Sequence, residues 1–398
     1  MIHFMSITRF LPLFFAIVMT ISLVAYAAST VPTGTPTVSL RLGYPDSLDE
    51  SDVMDLYAVQ VLKSEGINVQ STYYDAPPLA FEALVAGQQD IVYDESDGSY
   101  GLSGVHANTT CIGGYMLSGT FLAIAGDDIT NPSQMIGKTS EDFGPGTAMR
   151  YLNEYWFRQL GIQTNLNGPN NNSVFLKNGG ENYERVHDLE TGAAQEIVVD
   201  DFILADIDSS SINNSAHGGP FHVLFTSPDN YYDTCYVARD GWLTNPANQV
   251  VAEKFLAALY EAQRWAISYP QQYIQFAEQQ LPSTPVNEIQ FASSYYPQHY
   301  TYWPYGLYNL QGNQSLAIKF NDTSQFYEEA GVITSPIQND SAQPYGVINK
   351  YFELKALQMI GPFTYPDQSW VDPTVVGDIQ SWVPSWEGGI STSDITTT

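Results

Sequence analysis

The chain has 398 residues, 44% of them hydrophobic, so it can bury a sizeable core and is long enough for two or three ordinary domains. Charged residues make up only 14%, and they are lopsided: Lys+Arg 14 against Asp+Glu 43, net -29. A surface of that sign repels nucleic acid and anionic lipid and excludes both as partners.

Sparse charge with 27 Tyr and many Asn, Gln, Ser and Thr points to an exterior of low pH. There most carboxylates are neutral and repel one another little. Residues 1–28 read as an export signal: Arg9 precedes an apolar run from Phe10 to Ala25, and Ala25-Tyr26-Ala27 suits cleavage. The run is nearly long enough to span a membrane, so an uncleaved N-terminal anchor is the alternative. Residues 29–37 are a Ser/Thr/Pro spacer suited to a tether. Asn108, Asn171, Asn213, Asn313, Asn321 and Asn339 each begin an N-x-S/T triplet, used or unused. With export, Cys111 and Cys235 form one disulfide or remain two buried thiols.

Along the chain, Val38–Tyr44 predicts a strand ending at a Pro-Asp turn. Val53 to Glu65 has helical spacing, with Gly66 as its stop. Ile67 to Tyr74 alternates as a second strand, Leu79 to Ala86 is a second helix stopped by Gly87, and Ile91–Tyr93 is a third strand. This βαβαβ order implies parallel strands. A second unit begins near Phe121–Ala125. A turn of helix at 128–138 leads to another strand, and Gly144-Pro-Gly-Thr147 opens a helix running to about Leu160. Residues 165–180 read as an Asn/Gly-rich loop. Val223–Phe225 and Thr234–Ala238 look like returning strands, and Pro246–Ser268 is a long amphipathic helix. The chain stays largely helical to about Gly361, and residues 388–398 are a flexible tail.

One phrase is written twice. Leu84-Val-Ala-Gly87-Gln-Gln-Asp90-Ile-Val-Tyr-Asp94-Glu95 returns as Leu189-Glu-Thr-Gly192-Ala-Ala-Gln-Glu196-Ile-Val-Val-Asp200-Asp201, with one extra residue before the acid. Each copy reads as a helix end, a Gly stop, a buried strand and two carboxylates. Repetition marks one α/β unit used twice, with an acidic pair at the strand end where open α/β sheets bind ligands.

The βαβαβ opening, the Leu-x-x-Gly-x-x-Asp-Ile phrase, the Asp128…Gly137-Lys138 turn and the Gly144-Pro-Gly-Thr147 helix start resemble extracytoplasmic solute-binding proteins of ABC importers. The closest group is the type II class that takes alkanesulfonates, taurine, nitrate and thiamine precursors. Gly241–Pro246, Phe255–Ala262, Trp265–Pro270 and Phe326–Ile333 are similar to that family's final helices. The likeness covers about residues 38 to 361. It implies an α/β, two-lobed type II periplasmic-binding-protein architecture with a hinge of crossing strands near 116–124 and 223–238. Lobe one would be residues 38–118 plus 230–387, and lobe two 119–229. It further implies a monomer that binds a small-molecule solute, an ABC permease as membrane partner, and no cofactor or catalysis. The same arrangement would bring Cys111 and Cys235 together near the hinge as a disulfide.

In that architecture the strand ends of both lobes face one cleft. Lobe one would contribute Tyr44, Asp46, Tyr74, Asp75, Asp94 and Glu95, and lobe two Phe143, Gly146, Thr147, Asp200 and Asp201. The family's anion-binding members hold their ligand at such a helix start, but this set carries many acids and no evident Arg or Lys partner, with Lys138 the nearest. A cationic or polar neutral ligand therefore fits better, with tyrosine faces available for an amine or a heterocycle. The alternative is that the acids merely cap helices.

Enzyme signatures are weak. Ile136-Gly137-Lys138-Thr139 lacks the first Gly of a phosphate loop, where Pro132 stands. Ser118 lacks the Gly two residues earlier that a nucleophile elbow needs and Ser103 the one two residues later, and His187, His217 and His222 have no metal-protease context. Paired carboxylates and the aromatic run Tyr300–Tyr305 leave a glycoside hydrolase as a minor alternative. A sensory or adhesive module on the same fold is another.

Overall fold

The computed structural model describes residues 38–45, 48–49, 52–75, 77–95, 107–114, 121–126, 128–200, 221–227, 234–284, 286, 289–290, 327–328, 349 and 351–361. The expected signal, the spacer, the tail and the sites Asp46 and Asp201 lie outside them. The first sheet contains β1 (Ser39–Tyr44), β2 (Asn68–Tyr73), β3 (Ile91–Glu95), β4 (Thr109–Gly114) and β11 (Thr234–Arg239), in the order β2-β1-β3-β11-β4. β1, β2 and β3 run parallel, joined by α1 (Val53–Ser64) and α2 (Pro77–Val85), as the alternating apolar runs predict. β4 was not foreseen. Its Thr-Thr-Cys-Ile-Gly-Gly sequence carries weak strand propensity, and pairing along β11 supplies what the local sequence does not.

The second sheet has the order β10-β5-β9-β6-β8-β7, from β5 (Phe121–Ala125), β6 (Thr139–Asp142), β7 (Thr164–Asn165), β8 (Val174–Asn178), β9 (Glu196–Asp200) and β10 (His222–Thr226). Between β6 and β9 lie α3 (Ala148–Gln159) and α4 (Asn182–Thr191). β8 corrects the expected 165–180 loop: Val174 and Leu176 are buried on one face within an otherwise Asn- and Gly-rich stretch. The chain leaves the first sheet after β4 and re-emerges as β5. It leaves the second after β10 and returns as β11. Since β4 pairs with β11 and β10 with β5, both antiparallel, the two crossings connect neighbouring strand pairs. That connectivity makes two lobes.

Lobe one is thickened by α5 (Asp240–Leu243), α6 (Pro246–Ser268), α7 (Pro270–Gln280) and α8 (Tyr351–Ile360). α6 starts where Asn245 accepts a hydrogen bond from the Ala247 N–H and Pro246 presets the first turn. It buries Phe255, Leu256, Leu259 and Tyr260. At about 1.5–3 kcal/mol for each large side chain removed from water, this helix is a main anchor of the lobe.

The twice-written phrase is a structural repeat, with one correction. Gly87 (φ +75) and Gly192 (φ +78) both end a helix in the left-handed region. Three residues later, Asp90 Oδ2 accepts from the Arg41 N–H and Gln195 Oε1 from the Thr139 N–H. Asp90 therefore matches Gln195, not Glu196, and no residue is inserted. Glu196 falls where lobe one has Ile91: Ile91 pairs with Leu42 and Ala238, and Glu196 with Ser140 and Ala125.

Candidate functional site

The strand-end turns of the two lobes meet. Gly146, in the turn after β6, has φ +91, and a Cβ there would stand 3.2 Å from Pro78 Cγ in the first turn of α2. Glu181, before α4, is close enough to Asp49, after β1, for the two carboxylates to oppose each other's ionisation; burial is the larger cause of its raised pKa. Behind the seam one apolar cluster crosses the lobes, joining Ala80, Phe81 and Leu84 of α2 to Ala148, Met149 and Leu152 of α3. Tyr74, Phe143 and Tyr151 pack against it.

The turn in lobe two is held from beneath. Asp142, at the end of β6 and without exposed surface, takes the Gly144 N–H on Oδ1 at 2.8 Å. Its Oδ2 accepts from Arg150 Nε at 2.6 Å and Asn153 Nδ2 at 3.1 Å. Thr147 caps α3, accepting from the Arg150 N–H and donating to Gly144 O. The Asp142 carboxylate is thus an internal one, satisfying the donors of its own turn. Thr147 serves as a cap rather than as an open wall.

A cation that the sequence did not reveal stands in the same region. Arg185 is almost wholly buried on α4, 5.5 Å from the Phe143 ring centroid, within cation–π range. Its NH1 donates to Gly180 O, and its NH2 donates to Asn182 Oδ1 at 2.6 Å. Asn182 Nδ2 in turn donates to Asp200 Oδ2 at 2.8 Å. The expectation of strand ends without arginine is corrected, because Arg150 and Arg185 come from helix positions three and four residues past their caps, away from the strand ends themselves. Lys177 adds a third cation, 2.5 Å from buried Glu141 and 3.0 Å from Asp188. Burial raises the Glu141 carboxyl and Lys177 opposes it.

Lobe one redistributes its candidates. Tyr44 is a core residue, 1% exposed, stacked on Tyr73 at 4.8 Å between centroids. Its hydroxyl donates to Asp55 Oδ1 at 3.4 Å, and Tyr236 donates to Asp55 Oδ2 at 2.8 Å. Strand alternation carries Tyr44 to the α1 side of the sheet, away from the seam. Burial pushes the Asp55 carboxyl up to about 7, against the pull of Tyr236 and Tyr44. Tyr74 is half-buried, lies over Gly43 and accepts from Gln89 Nε2 at 2.7 Å. Asp75 is exposed, and Asp94 and Glu95 close β3 opposite Cys235 and Thr234. The expected disulfide is corrected: Cys111 and Cys235 are buried thiols. Cys111 pairs with Val237 and Cys235 with Gly114, so the register staggers them on adjacent strands. Among the described residues no three His, Cys, Asp or Glu side chains stand together to hold a metal ion.

No protein-family model matches the chain, and no curated protein matches it in sequence. Solved structures do match in shape. The periplasmic aliphatic sulphonate binding protein of Escherichia coli superposes with a TM-score of 0.53 at 16% identity, over 76% of this chain and 90% of that one. A putative periplasmic sulfonate-binding protein of Methylobacillus flagellatus gives 0.55 at 12% identity, over 82% and 96%. A Candida albicans gene product described as having the generic periplasmic binding protein fold gives 0.53 at 11%, over 81% and 95%. The fold is therefore the two-lobed periplasmic-binding-protein fold anticipated from the order of elements.

Proposed function

We propose that the chain is an extracytoplasmic solute-binding protein that closes its two lobes on a small polar solute and delivers it to an ABC permease in the membrane. One observation carries the reading: turns at the strand ends of both sheets converge on a single seam, where Gly146 approaches Pro78 and one apolar cluster joins α2 to α3. Open α/β sheets bind ligands at such strand ends. Sulfonate binding, stated for two of the similar structures, is not carried over. The turn donor at Gly144 and the guanidinium of Arg150 already serve Asp142, so an added anion would meet a resident carboxylate. A neutral polar or cationic solute fits this chemistry.

The test is a thermal-shift screen of amines, pyrimidines, amino acids, sugars and sulfonates at acid and neutral pH. A ligand at 100 times its Kd adds about 2.7 kcal/mol of stability. A sulfonate as the best stabiliser would overturn the charge argument. A stabilising compound recovered chemically altered would overturn the binding role in favour of an enzyme.

A further inference from the structure

Glu196 has no ordinary use in lobe two. It fills the strand position held by Ile91 in lobe one and has no exposed surface, and neither carboxylate oxygen makes a hydrogen bond among the described residues. Few groups face it. Ser140 and Glu196 are register partners on parallel strands, so both side chains leave the sheet on the same face. Asn153, bonded to Ser140 from α3, shows that α3 covers that face. β6 presents Ser140 and Asp142, and α3 presents Asn153, Arg150 and, further out, Glu154, which feels Arg150 and Asp142. β5 presents Ala125.

The amide donor of Asn153 and the Nε–H of Arg150 are already engaged. Asn153 Nδ2 serves Ser140 Oγ at 2.7 Å and Asp142 Oδ2 at 3.1 Å, which leaves Asn153 Oδ1 as a further buried acceptor without a donor. The guanidinium of Arg150 is given to Asp142. A second carboxylate charge here would have no cation of its own and only the Ser140 hydroxyl as a nearby donor, and such burial is strongly unfavourable. A proton on Glu196 removes the charge and supplies the O–H that the acceptors lack.

We propose that Glu196 is a proton-binding latch: protonated, it completes the Ser140–Asn153–Asp142 network that holds the 143–147 turn against lobe one, and its ionisation loosens that turn and opens the seam. Burial raises this carboxyl to about 8, the Asp142 charge adds to that, and the nearby Ser140 hydroxyl opposes it without forming a bond of proper geometry. The latch is set in acid and at neutral pH and is lost as pH rises past that value. Its effect on solute capture rests on the solute-binding reading, but the proton site itself does not.

The experiment uses the full chain without ligand. Melting temperatures are followed from pH 5 to 10 for wild type, Glu196→Gln and Glu196→Leu, the last matching the apolar residue of lobe one. The expected result is that wild type loses stability relative to both variants as pH rises from 5 to about 8, where the carboxyl is ionised in the unfolded chain but still protonated in the folded one, and that the gap then stays constant above about pH 8. Curves parallel across the whole range overturn the proposal, and one folded variant of the two is enough to decide. Spin labels at exposed Leu79 and Tyr183 read the seam. The distance distribution should widen at high pH in wild type and not in the variant, and equal widening in both overturns the coupling. Failure of the solute screen would leave these melts fully interpretable.

Discussion

Replacing Arg150 by Met tests whether the buried ion pair beneath the 143–147 turn holds lobe two at the seam. Asp142 has no exposed surface and Arg150 is 3% exposed, so removing the guanidinium leaves a carboxylate in the interior. Breaking one side of a buried pair costs about 3–5 kcal/mol. Asp142 would keep hydrogen bonds from Gly144 and Asn153, and hydrogen bonds to a charged acceptor are worth about 1.5–3 kcal/mol each. The cost therefore falls at the low end, about 3 kcal/mol. In a urea melt with a slope of about 3 kcal/mol/M this moves the midpoint by about 1 M at unchanged slope. The double variant Asp142→Asn with Arg150→Met leaves no buried charge and should recover most of that loss, a positive coupling in the double-mutant cycle. A single-variant loss below about 1 kcal/mol, or a double variant no better than Arg150→Met, would refute the reasoning, because the carboxylate would then not depend on its cation.

Asp55 makes stability fall with rising pH. Its folded pKa, about 7, lies above its unfolded value of 3.8, so the folded chain holds this proton more tightly. The stability it contributes is full below the lower value and is lost as pH rises through the upper one, about 4 kcal/mol for some three pKa units. Asp55→Asn should flatten the melting temperature between pH 4 and 7, and a slope identical to wild type would count against it. Gly146→Ala forces φ +91 on a side-chain residue and sets a Cβ 3.2 Å from Pro78. It should cost about 1–3 kcal/mol and weaken capture of any compound found in the solute screen; undiminished affinity would remove the turn from the closing surface. Thr147→Ala removes the cap of α3 and should cost about 1 kcal/mol by chemical denaturation, and no loss would show the Arg150 N–H satisfied without it.

The parts of the fold legible in the sequence were those with local signals. Apolar periodicity placed β1, α1, β2 and α2, and Asn245-Pro246 placed the start of α6, because each depends on residues within a turn or two. β4 and β8 were missed because their pairing partners are distant in sequence: Thr110 meets Ala238, and Leu176 meets Ser140. The candidate site was less legible for the same reason. Position at a strand end singled out Tyr44, but side-chain alternation sent it toward Asp55, and only a buried acceptor on α1 explains the burial of its hydroxyl. Arg150 and Arg185 sit on helices, and the acceptors that bury them lie outside the regular apolar pattern: Asp142 on β6, and for Arg185 the Gly180 carbonyl and the Asn182 amide.

The register of the repeat explains why the two lobes differ at one equivalent place. Leu42 matches Ser140, so Tyr44 matches Asp142 as the last residue of its strand. Asp55 and Arg150 are each the third residue of the helix that follows, after caps at Asp52 and Thr147. Both lobes thus tie a strand end to the first turn of the next helix. Lobe one uses a hydroxyl donating to a carboxyl that burial holds near neutrality, and lobe two uses a full ion pair. The neutral tie tolerates acid because its carboxyl is already protonated there. The charged tie needs its surroundings free of a second charge, and Glu196, in the slot where lobe one keeps Ile91, provides that only while it carries a proton. Acidic conditions therefore suit both ties by different routes. A chain with Asp+Glu 43 and Lys+Arg 14 gains in the same direction, since neutral carboxyls also relieve its surface repulsion.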